Sequence, residues 1–174
     1  MYVDAWLDRL NRRLDEEARL LVGVRLNAVH QALPPDGSAE AVVGLLLVPE
    51  AACRRFNLAP AVMLHRPNGM ANCSVNEALS RALQWGRVEP GEVKRIWQGG
   101  LDASSANAAT KATVQAGIAT KLTSIDYLVG NAGEVAPWLN VACATRSVVE
   151  ENAPQLVVTA GKGGECFSVI RNVK

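Results

Sequence analysis

The sequence predicts an α/β fold, a layered mixed sheet with covering helices, in one domain over residues 1–174. Three observations carry this. A helix-then-strand pattern occurs twice in succession: setting Ser74-Val75-Asn76-Glu77-Ala78 over Ser105-Ala106-Asn107-Ala108-Ala109 keeps Gln84 on Gln115, Gly86 on Gly117 and Gly99 on Gly130, at a constant offset of 31 residues. In each copy a Ser/Asn start opens an Ala-rich helix, a glycine stops it, and an apolar strand ends at another glycine. Ahead of the repeat the apolar period shortens to two. After it, two apolar stretches flank Gly161-Lys162-Gly163-Gly164-Glu165 and read as a closing hairpin. A length of 174 residues supports one sizeable core and not two ordinary domains.

In residues 1–20, Trp6, Leu10, Leu14 and Ala18 fall at four-residue intervals, with Asp8, Arg9, Arg12, Asp15, Glu16 and Arg19 on the other face. The spacing predicts an amphipathic helix. Val22, Val24 and Leu26 then alternate with Gly23, Arg25 and Asn27, as a strand with one covered face does. Turn residues fill 31–38, and the apolar run 41–48 completes an antiparallel hairpin. Proline at the first turn and Glu50 near the positive end of the dipole suit a short helix over 49–56. A strand over 61–64 follows.

The first repeat unit predicts a helix over 74–85 with Leu79, Ala82 and Leu83 buried, and a strand over 93–98 after the Pro90-Gly91 turn. The second predicts a helix over 105–116 and a strand over 125–129, parallel to the first through a right-handed crossover. The small residues Ala106, Ala109, Ala112, Thr113 and Ala116 suit a crowded layer between sheets. Pro137 opens a helix over 136–150 whose Trp138, Ala142, Thr145 and Val149 form a stripe, and strands over 155–160 and 166–173 close the chain. Trp85 and Trp97 read as core or interface anchors.

Composition excludes several function classes. A net charge of +1, with basic and acidic residues interleaved, lays down no footprint for nucleic acid. The longest apolar run, 41–49, falls short of the roughly 20 residues that span a bilayer. The early acids Asp4 and Asp8 do not fit a signal peptide, so a cytoplasmic location is expected. Cys53, Cys73, Cys143 and Cys166 are widely spaced, without C-x-x-C or a neighbouring histidine, which reads as reduced thiols and no metal site. No cofactor motif is present: Gly130-Asn131-Ala132-Gly133 lacks both the Walker lysine and G-x-G-x-x-G.

Open α/β sheets bind ligands beyond the carboxyl ends of their strands. That rule makes Gly99, Asp102, Asn131, Gly133 and Lys162 the candidate ligand-binding residues, with Gly161 beside them. Each has a plainer account as a helix cap or hairpin turn. His65 and Arg66, at a strand end, could meet an anion, and His30 lies where the first strand enters its loop.

The run Val43-Gly44-Leu45-Leu46-Leu47-Val48-Pro49-Glu50-Ala51-Ala52-Cys53-Arg54-Arg55 resembles the strand and short helix that open the C-terminal half of thiolase-like enzymes, the β-ketoacyl synthases among them. Ala116-Gly117 through Ile125-Asp126-Tyr127-Leu128-Val129-Gly130-Asn131 is similar to the helix, linker and strand that lead into their catalytic loop. Leu156 to Ile170 resembles their last two strands. The resemblance covers roughly 41–173 and implies a thiolase-like half. It also implies departures, since the family's H-G-T-G-T histidine is replaced here by Gly130-Asn131-Ala132-Gly133, and no histidine follows His65. The family's nucleophilic cysteine belongs to the other half of the fold. Val141-Ala142-Cys143-Ala144-Thr145 is similar to the nucleophile motif but stands in the wrong half.

The resemblance therefore implies a non-catalytic binding or adaptor protein, with an accessory role in bacterial type VI secretion as one such function. The alternatives are acyl transfer with Cys143 as nucleophile and His65 or His30 as base, and a small-molecule sensor. Because the complete fold stacks two halves, a homodimer or a protein partner supplying the second half is expected.

Overall fold

The computed structural model describes residues 18–28, 33–69, 73–120, 122–161 and 164–173. The amphipathic segment over 4–17, His30 and Lys162 lie outside the described residues. Strands β1 (Arg19–Arg25) and β2 (Ala41–Leu47) pair antiparallel over their full length as a separate ribbon. The first strand thus begins at Arg19, two residues inside the segment read as a helix through residue 20. The remaining strands are β3 (Met63–Leu64), β4 (Asn68–Gly69), β5 (Arg95–Gly99), β6 (Leu122–Ser124), β7 (Gln155–Gly161) and β8 (Gly164–Arg171). They form a six-stranded mixed sheet in the order β3-β8-β7-β5-β6, with β4 also on β8. β5 lies between β6 and β7, both parallel to it, and β7 and β8 form the expected antiparallel hairpin.

Helix α1 (Glu50–Arg55) follows β2. Helix α2 (Val75–Gly86) starts at a complete capping box, in which Ser74 and Glu77 satisfy each other's backbone N–H. Helix α3 (Ala103–Gln115) starts two residues before the expected position because Asp102 accepts a hydrogen bond from the Ser105 N–H at 2.8 Å and so acts as its N-cap. Helix α5 (Ala136–Glu151) carries proline in its first turn.

Between β6 and α5 the chain departs from the expected repeat. Residues 125–129 form a short helix, α4 (Ile125–Val129), and the strand is the three residues before it. β5 stops at Gly99 and pairs Gln98 with Ser124, so a strand continuing past 125 would find no ladder partner. The backbone instead closes on itself, the Gly130 N–H bonding the Asp126 carbonyl at 3.0 Å. The apolar run is not doubly covered: Tyr127, Leu128 and Val129 are exposed.

Alternation along β7 sorts the core into two faces. Leu156 and Val158 pack with Leu79, Ala82, Leu83, Ala109 and Ala112 of α2 and α3, while Val157 packs with Val141, Ala144 and Val148 of α5. The ribbon lies on α5, with Leu45 against this second cluster. The layers therefore run ribbon, α5, six-stranded sheet, then α2 with α3. The helix between two sheets is α5 and not the Ala-rich α3, whose Ala109 and Ala112 are buried on one side while Val114 is exposed on the other. The buried stripe of α5 includes Ala136, Asn140, Ala144 and Val148, one step from the stripe expected from sequence. Ala142, Thr145 and Val149 instead line a cleft of about 630 Å³ against Gly44 and Leu45 of β2. Trp97 donates its indole N–H to Gln155 at 3.3 Å, whereas Trp85 is nearly half exposed.

Two packing details are open to measurement. Alanine inside a helix is ordinarily favoured over glycine by about 1 kcal/mol. A Cβ at Gly86 would lie 2.7 Å from the Cβ of Val169 on β8, so Gly86→Ala is expected to reverse that sign and cost about 1–3 kcal/mol, read as a lower urea midpoint at unchanged slope. Ser74→Ala removes one side of the capping box and is expected to cost about 1 kcal/mol in the same measurement; an unchanged midpoint would show that the cap contributes nothing.

Candidate functional site

The carboxyl end of β5 gathers the residues that sequence reasoning singled out. Gly99 is buried, and the space a Cβ would occupy is filled by the Asn140 amide of α5, whose nitrogen would lie 2.8 Å from that Cβ. Gly100, at φ +69°, donates its N–H to the Asp126 carboxylate at 2.8 Å. A Cβ there would touch Ala136 at the start of α5 and approach the Gly133 carbonyl. Gly133, at φ +57°, lies beneath the Arg25 guanidinium, which reaches across from the end of β1 and leaves no room for a side chain.

Asn131 is held on three sides. Its N–H donates to the Gly37 carbonyl at 2.7 Å, its carbonyl accepts from the Ala39 N–H at 2.9 Å, and its side-chain oxygen accepts from the Gly133 N–H at 2.7 Å. A parallel bridge between Ser38 and Asn131 thus fastens the loop of the ribbon to the strand ends.

The structure brings Gly99, Asn131 and Gly133 together and sets Asp102 apart as the cap of α3. Hydrogen bonds from the Ser105 N–H and then the Ser104 hydroxyl hold the Asp102 carboxyl below its usual range. Gly161 lies at the same end of the sheet, two residues past Thr159, the partner of Gly99. Three residues at the site were not anticipated: Arg25, Asp126 and Asn140. The side-chain nitrogen and oxygen of Asn140, one carboxylate oxygen of Asp126 and the Nε of Arg25 are buried without a hydrogen-bond partner. A polar residue between Ala136 and Ala144 on one helical stripe was the available clue to Asn140.

Cys143 and His65 are not prepared for attack. Cys143 lies mid-helix and half-buried, and burial pushes its thiol above the ordinary value, which keeps it protonated. His65 is half-buried at the end of β3, and its Nε2 accepts from the Nε of Arg171 at 3.0 Å, so the lone pair a base would use is engaged. Burial first, then the charges of Arg171 and Arg87, hold its pKa below the ordinary 6.5. Among the described residues no group of three or more His, Cys, Asp or Glu side chains is placed to hold a metal ion, and no helix is long and apolar enough to cross a membrane.

No family model matches the chain, and no curated protein is significantly similar to it. Solved structures do match. The oxazolomycin ketosynthase domain OzmH KS8 of Streptomyces albus JA3453 superposes with a TM-score of 0.70 at 17% identity, over 97% of this chain and 61% of that one. The fold is thiolase-like. The ishigamide ketosynthase/chain length factor gives a TM-score of 0.68 at 17% identity, over 98% of this chain and 53% of that one. Acetyl-CoA acetyltransferase from Syntrophomonas wolfei gives 0.55 at 11% identity, over 77% of this chain and 38% of that one. The thiolase-like chain thus spans between about two fifths and three fifths of the structures it matches.

The state of His65 can be read directly. Since the folded pKa lies below the unfolded one, the contribution of neutral His65 to stability is complete above the unfolded value and is lost as pH falls through it towards the folded value. In a nuclear magnetic resonance titration His65 is expected to titrate below 6.5, and Arg171→Met is expected to move it upward. A titration at or above 6.5 in the parent chain would show that the imidazole is not held neutral.

Proposed function

We propose that this thiolase-like chain is a non-catalytic binding subunit, an adaptor completed by a homodimer mate or a protein partner in place of a second half. The observation that carries the reading is the state of the strand-end groups. The Gly100 N–H is taken by Asp126, the Asn131 backbone by the ribbon loop and the Gly133 N–H by Asn131, while Asn140 fills the space over Gly99. The strand-end donors that could stabilise an oxyanion are already paired, and among the described residues no thiol–imidazole pair supplies a nucleophile. A cytoplasmic location fits the thiols. The finer role that the resemblance brings is effector adaptor in bacterial type VI secretion, and co-purification of the tagged protein from its host tests it, with a secretion component as the expected catch.

The fold shared with ketosynthase structures is compatible with acyl transfer, and a second reading gives Cys143 the part of nucleophile. Iodoacetamide at neutral pH, followed by acyl-CoA and intact-mass measurement, separates the two. Slow labelling of Cys143 and no acyl adduct are expected. Fast, selective labelling or a stable acyl adduct that Cys143→Ser abolishes would establish the enzyme instead. The strand-end residues Gly99, Asn131 and Gly133 remain the place for a small ligand under the sensor reading, and a thermal-shift screen against CoA, nucleotides and acyl chains reads that directly.

A further inference from the structure

The outer face of the β1–β2 ribbon is unusually apolar for a surface. Leu20, Val22, Val24 and Leu26 alternate outward from β1 and Val42 and Leu46 from β2, each 55–69% exposed. Together these six aliphatic side chains form one contiguous exposed strip, and a large contiguous apolar patch on a protein surface marks an interaction site. A two-stranded ribbon is at best marginally stable without cover, and among the described residues this one is covered on a single face, by α5 and the residues before it.

We propose that this face is the docking surface for a second copy of the chain, packed ribbon on ribbon about a two-fold axis running along the strands. The inference rests on the binding-subunit reading and names the partner at one surface of it. Three features fit a copy of itself. The face is uncharged, because Arg19 and Arg25 alternate to the inner side with Leu21 and Gly23, so no like charges oppose each other when it meets its equal. Val22 pairs with Gly44 at the centre of the ribbon, and a Cβ built at Gly44 meets no atom within 4 Å, which leaves a knob beside a notch. Rotation about an axis along the strands sets β1 of one copy over β2 of the other. Val22 then enters the notch at Gly44 of its mate and receives the mate's Val22 at its own, while Leu20 faces Leu46 and Val24 faces Val42. That reciprocity is what an isologous interface requires, and aligned sheets pack face to face in this way.

The test is the oligomeric state of the full chain by sedimentation and light scattering across a dilution series. The parent chain is expected to be a dimer. Val22→Lys is expected to weaken self-association at least tenfold, and Val114→Lys, at an exposed residue of α3 in the layer farthest from the ribbon, to leave it unchanged. Gly44→Leu is the deciding variant: it adds apolar surface at an open position, so unspecific stickiness would hold the dimer as tightly or tighter, whereas a filled notch weakens it at least tenfold. Should Val22→Lys fail to fold by circular dichroism, Gly44→Leu carries the test alone. A monomeric parent chain overturns the proposal, whether the face then proves to be covered by residues 1–17 or by another protein. A dimer indifferent to Gly44→Leu also overturns it. The acyl-CoA assay reads catalysis in any oligomeric state, so loss of the dimer and loss of the non-catalytic reading are separate results.

Discussion

The structure turns on how closely α5 can lie against the end of β5. It is the helix that touches both sheets, and the close approach is possible because Ala136 and Ala144 carry no bulk on its buried side and Gly99 has no Cβ where Asn140 enters. A side chain at residue 99 would have to displace the Asn140 amide from the space it fills between β5 and α5. Leu45, Val62, Leu64 and Trp97 gather around the same cluster, so the ribbon, the β3 edge and the centre of the sheet share one apolar core through α5.

That arrangement sets the chemistry at the strand ends. In an open α/β sheet this is where free backbone donors and flexible glycines invite a ligand. Here Gly100 and Gly133 are glycines because both adopt positive φ, with Arg25 filling the space over Gly133, and Asn131 is an asparagine whose backbone and side chain all serve the loop. Residue types that suggest a binding site in a sequence are put to use holding three segments together. Asn140 and Asp126 are the exceptions, with buried polar atoms unpaired beside an otherwise saturated turn.

The parts of the fold legible in the sequence are those governed by neighbours in the chain. Ser74 and Glu77 announce the start of α2 because a capping box is a local bargain between residues three apart, and the β7–β8 hairpin is legible from its glycine connection. What escaped depends on distant partners. Residues 125–129 are apolar enough for a strand, yet β5, the ladder partner of β6, ends at Gly99 and has nothing to offer a residue past 125. The helix between the sheets proved to be α5 because small residues permit close packing in either setting, and which helix meets two sheets is decided by topology. Arg25 carried no signature of the strand-end site, since it reaches it from the ribbon, and Asn140 showed only as a polar residue on a stripe of small ones, with nothing to say what it meets.

The fastening of the ribbon loop has a mechanical side. Ser38 bridges Asn131 and Arg25 rests on Gly133, so the end of β1 and the loop that follows it are tied to the turn that precedes α5. A tilt of the ribbon on α5 pulls that turn in the same stroke, and the carboxyl end of the large sheet registers a load applied on the far side of the molecule.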